Sequence, residues 1–146
     1  MSRSTEDGLR LVLLAAMGSG CLGAAAELVL AEHWEEPVQI VPFVLAGLGA
    51  SAAALLWLRP SRAVVLAVRA VMAALVLGGA FGMWEHLEHN YGFEAEIRPE
   101  ATTGQLAVAA LFGANPLLAP GVLAGLGLLG MAATWRHRRL HDSAVS

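Results

Sequence analysis

The sequence predicts an all-α integral membrane protein. It reads as a four-helix bundle of four transmembrane spans, both termini cytoplasmic, with a short interfacial helix before the last span. Three observations predict it. Of the 146 residues, 57% are hydrophobic and only 14% charged, where soluble domains carry about 25% charged residues. A chain of this length leaves much of its surface exposed and cannot hide so many apolar side chains from water. The apolar residues fall into long runs, each near the ~20 residues that carry a helix across the hydrocarbon core. The charges lie between these runs and are sorted by sign. A single membrane domain over 1–146 follows.

The first span covers about 8–31, interrupted by Arg10 near its start and Glu27 near its end. Arg3, Arg10, the apolar 11–17 and Ala24-Ala25-Ala26 also have the order of a signal peptide cleaved before Glu27. Apolar character continues past Ala26 to Leu30, which favours a retained helix. Cys21, the single cysteine, lies inside this run without a partner and reads as buried packing. A polar link leads to Pro37, whose missing N–H suits the first turn of the next helix. The second span, about 38–58, has no charge, and Arg59-Pro60-Ser61-Arg62 turns the chain. The third span covers about 63–86. Arg69 lies close enough to its start to reach the headgroups.

Residues 87–103 read as an outer polar loop. Apolar–polar alternation over 93–97 fits a short extended segment, ended by Pro99. Residues 103–114 read as the interfacial helix, too short to span. Asn115-Pro116 reads as a cap and first position of the fourth span, about 116–135. Gly78-xxx-Gly82, Ala46-xxx-Ala50-xxx-Ala54 and Gly121-xxx-Gly125 each put small residues on one face, as close helix packing in lipid requires. Trp34, Trp57, Trp84 and Trp135 fall at span ends, the positions of an aromatic belt.

All nine basic residues are arginine. Arg3, Arg10, Arg59, Arg62, Arg69, Arg136, Arg138 and Arg139 fall on one side of the spans, and Arg98 alone on the other. Basic loops stay cytoplasmic. The expected location is therefore a bacterial inner membrane, with the arginines inside. His137 and His141 join the basic tail, where anionic lipid attracts them.

The outer span ends carry Glu27, Glu32-His33-Trp34-Glu35-Glu36 and Trp84-Glu85-His86-Leu87-Glu88-His89. At helical spacing His86 continues the face of Gly78 and Gly82, and Glu85 and His89 lie beside it. Glu27 follows Gly20 and Gly23 on a packing face. A carboxylate at that depth is costly unless paired, protonated or bound to a cation. Imidazole with carboxylate is the ligand set of iron, copper, zinc and manganese, and facing helices build such sites in bundle cores. The expectation is a transition metal ion held by Glu27, His33, Glu85, His86 and His89; a redox or transport role would follow from an open coordination position, which the sequence does not show. Two readings stand beside it. In one the chain is a non-enzymatic accessory subunit whose Glu and His side chains only pair at an interface. In the other His33 and His86 or His89 ligate a haem.

The di-iron Glu-x-x-His pair, HExxH, a Gly-rich phosphate loop and a nucleophile elbow are all missing, so no enzyme class is indicated. The expected partners are the lipid bilayer and a homo-oligomer or larger membrane complex. The sparse arginines, all but one beside spans on the cytoplasmic side, argue against nucleic acid.

Overall fold

Every secondary-structure element in residues 3–140, the part that the computed structural model describes, is helical. His141 and the side chain of Arg3 lie outside that description. The order is α1 (Arg3–Leu30), a 3₁₀ turn (Pro37–Gln39), α2 (Ile40–Leu58), α3 (Arg62–Ile97), α4 (Thr103–Ala110), α5 (Leu118–Ala133) and a closing 3₁₀ turn (Arg138–Leu140). Thr5–Leu30, Pro37–Leu58 and Arg62–Ile97 are long and apolar enough to cross a membrane, which marks a membrane protein. α5 is equally apolar but has only 16 residues, about 24 Å of helix.

Four helices form a ring in which α1 packs on α2, α2 on α3, α3 on α5 and α5 on α1. Met17, Cys21, Ala46, Val65, Val68, Met72 and Leu75 fill its centre with almost no exposed surface. Val12, Leu22, Leu30, Leu58, Leu77 and Leu128 point outward and are exposed. Water penalises such a surface, while lipid tails accept it. Cys21 packs as the sequence indicates: a Cβ added at Gly49 would lie 2.6 Å from its Sγ.

Gly78 and Gly82 pack closely as expected, against Leu45 of α2 and Pro120 of α5, but the other close-packing stripes differ from the expected four-residue repeats. On α2 they are Ala46, Gly49 and Ala53, while Ala54 is exposed. Between α3 and α5 the backbones come closest at Gly79, where a Cβ would lie 2.6 Å from the Ala124 nitrogen. At Gly127 it would lie 2.7 Å from the Met72 oxygen, whereas Gly125 faces open space. A helix turns every 3.6 residues, so a strict four-residue repeat drifts off the contact line.

α3 is the largest departure. It does not end near residue 86 but continues to Ile97 as one helix of 36 residues, about 54 Å against a hydrocarbon core of about 30 Å. The expected extended segment at 93–97 is helical. Glu, Ala and Leu favour helix here, no proline intervenes before Pro99, and Arg98 Nε donates to Glu94 Oε2 one turn back at 2.8 Å. α4 starts at a capping box, in which Gln105 N donates to Thr102 Oγ1 at 3.4 Å and Thr102 N to Gln105 Oε1 at 2.9 Å. It ends at Ala110 rather than 114 and packs along the far end of α3, burying Leu106 and Ala110.

The two ends of the ring differ in charge. Arg10 Nη2 donates to the Trp135 and Arg136 carbonyls at 3.0 and 3.1 Å, and Arg138 pairs with Asp7 at 3.2 Å. The start of α1 therefore meets the end of α5 at the arginine end. Glu27, His33, Glu85 and His86 gather at the opposite end.

Candidate functional site

The local backbone at the end of α1 decides where His33 goes. Its N–H donates to the Leu28 oxygen at 3.0 Å, and Glu32 N to the Val29 oxygen at 3.1 Å. These two bonds make a Schellman turn, which requires a left-handed residue at its bend. Glu32 occupies that position with φ of 50°. The turn reverses the chain over the bundle mouth and leaves His33 half-buried there.

His86 and Asn90 sit one turn apart on α3 and face the segment between α4 and α5. His86 Nδ1 is 3.0 Å from the Pro116 carbonyl. That carbonyl can only accept, so Nδ1 carries the proton and Nε2 keeps its lone pair in the neutral ring. Asn90, 2% exposed, donates from Nδ2 to the Ala110 and Asn115 carbonyls at 3.0 and 2.9 Å and accepts from Asn115 N at 2.9 Å. Asn115 is thus not the side-chain cap expected of it; its backbone is held by Asn90, and the helix begins after Leu117. Gly113 is needed at this crossing, since a Cβ there would come within 2.7 Å of the Asn90 side chain. Asn90 is the residue that sequence spacing misses.

Two cavities meet at this mouth. One, about 190 Å³, lies between α2 and α3; its apolar wall includes Val41, Leu45, Gly78 and Phe81, and its polar rim includes Glu85, His86, His89 and His33. The other, about 250 Å³, lies between α1 and α5 and is lined by Ala24, Glu27, Leu28, Val122, His33 and His86. His33 and His86 line both. The structure therefore brings the two imidazoles to one junction, with Glu27 on one side and Glu85 and His89 on the other. Among the described residues, no three His, Cys, Asp or Glu side chains converge closely enough to hold a metal ion. Burial, with the charge that His86 carries when protonated, pushes the His33 imidazole below the usual histidine range. A neutral ring is the form that can act as a ligand. Glu27, Glu88 and His89 are exposed, while Glu85 is half-buried.

The arrangement offers two imidazoles, flanking carboxylates and apolar walls open towards the helix surfaces. No protein-family model, no characterised protein and no solved structure matches this chain.

Proposed function

We propose that this chain is a four-span protein of a bacterial inner membrane that holds a transition metal ion at its outer, periplasmic mouth. The observation that carries the reading is the bond from His86 Nδ1 to the Pro116 carbonyl. Metal-binding histidines characteristically give one ring N–H to a carbonyl or carboxylate, which fixes the tautomer and frees the other nitrogen for the ion. His33, which lines the same junction and whose imidazole is pushed by burial below the usual histidine range, is the second ligand. Glu27, Glu85 and His89 line the two adjoining cavities and supply the remaining donors when the ion is present. Imidazole and carboxylate together suit zinc, iron, manganese or copper(II).

α5 is the fourth span in this reading. The residues flanking it, 116–117 and 134–135, extend its 16 residues to about 30 Å of chain. The arginine end is then cytoplasmic. A reporter enzyme active only in the periplasm should work when fused after Glu100 and fail when fused after Arg59.

The metal reading is tested by mass-spectrometric metal analysis of the detergent-purified protein beside His33→Ala and His86→Ala. Near-stoichiometric metal in the parent and its loss in both variants is the expected result. His33→Ala leaves the Pro116 bond in place, so it separates lost ligation from lost structure. No metal after replenishment, or the same content in His33→Ala, would refute the reading in favour of an accessory subunit. The visible spectrum of the same sample tests for haem.

A further inference from the structure

A second polar cavity lies at the arginine end, away from His33 and His86. It measures about 530 Å³ and has two unlike parts. Leu11 and Leu14 of α1 and Leu56 and Trp57 of α2 form an apolar wall. His137 and the closing turn's Arg138 and Arg139 add a polar side, and α1 adds Arg10 and Asp7. Three guanidinium groups thus share one carboxylate, and Arg138 already engages it. Arg10 gives Nη2 to two backbone carbonyls. Arg139 has no carboxylate partner among the described residues. The local field is positive: burial first, then Arg10, Arg138 and Arg139, push the His137 imidazole below its usual range against the opposing pull of Asp7.

Trp57 and Trp135 are both exposed at this end, the level where tryptophan marks lipid headgroups. We propose that this cavity binds an anionic phospholipid, its phosphodiester against Arg138 and Arg139 and one acyl chain along Leu11, Leu14 and Trp57. The charge selects an anion and the apolar wall selects one that carries a chain. A zwitterionic lipid brings a cationic group to the same guanidiniums and gains less. Basic pockets between membrane helices are suited to such headgroups. The proposal is independent of the metal reading.

The test uses the full chain in a neutral detergent. Its melting temperature is followed while phosphatidylglycerol, phosphatidylcholine or inorganic phosphate is added. Phosphatidylglycerol should protect at far lower concentration than phosphatidylcholine, and inorganic phosphate should not protect. Arg139→Gln should weaken the phosphatidylglycerol effect about fivefold, from the ~1 kcal/mol that one basic residue contributes near anionic lipid. Arg62→Gln, a basic residue near the same end that does not line the cavity, should leave it unchanged. Native mass spectrometry of the parent should show a retained anionic lipid, a readout that needs no variant to fold. Equal protection by phosphatidylcholine, equal protection by free phosphate, or an Arg139→Gln response matching Arg62→Gln would each overturn the proposal.

Discussion

Asn90 and Asn115 exchange two hydrogen bonds: the Asn90 side-chain amide reads the Asn115 backbone as a strand edge would, with both contacts at 2.9 Å. A third bond ties the same amide to Ala110. One buried side chain thus fixes the crossing between α4 and α5 and holds Pro116 in reach of His86. Asn90→Ala should destabilise the protein by about 2–3 kcal/mol, because buried groups left without partners cost about 1–3 kcal/mol each. Denaturant titration in detergent measures this. A loss under ~0.5 kcal/mol would mean that water satisfies the crossing.

Glu32 holds a left-handed backbone with φ of 50°, a conformation that costs a non-glycine residue about 1–2 kcal/mol. Glycine makes the same Schellman turn without that strain. Glu32→Gly should therefore raise stability by about 1 kcal/mol while His33 stays in place. A fall in stability would show that the Glu32 side chain makes a contribution larger than the strain.

Gly79 and Gly125 test the packing between α3 and α5 in opposite senses. A methyl at Gly79 would meet the α5 backbone at 2.6 and 2.8 Å. Gly79→Ala should push the helices apart and cost about 1–3 kcal/mol. At Gly125 nothing lies within 4 Å of the added carbon, and Ala is the better helix former by up to about 1 kcal/mol. Gly125→Ala should be neutral or stabilising. Thermal unfolding of the two variants side by side decides it.

His137 gives the arginine end a pH response. Its folded pKa is lowered by burial and three arginines, so the unfolded chain takes up a proton first as pH falls. Stability should decline below the ordinary histidine value of about 6.5 and level off once the folded protein is protonated too. His137→Gln should remove that part of the decline and leave the part due to His33. Melting temperatures of both proteins between pH 8 and pH 5 read the difference, and parallel curves would refute it.

The apolar runs were legible in the sequence because lipid demands continuous apolar helix; α1, α2 and the first two thirds of α3 follow directly. The polar residues after Trp84 were misleading: a helix leaving lipid turns polar without ending, so composition alone reads as loop. The start of α4 is written in Thr102-x-x-Gln105, a capping box visible to spacing. Asn90 is not visible in that way, since its partners lie 20 and 25 residues on and are backbone groups. For the site, spacing placed His86 on the inner face of α3. It could not foresee that a Schellman turn would set His33 beside it, nor that Glu27 and Glu85 would stand on opposite sides.

α3 runs unbroken from Arg62 to Ile97, with Gly78 against α2, Gly79 against α5 and His86 at the mouth between them. A rod without a hinge transmits torque. A twist applied to the hairpin of α3 and α4 is therefore carried along one continuous helix towards all three positions. The hairpin is in mechanical terms a lever arm on the bundle, and the α3 wall of the cavity beside α2 lies on the same rod.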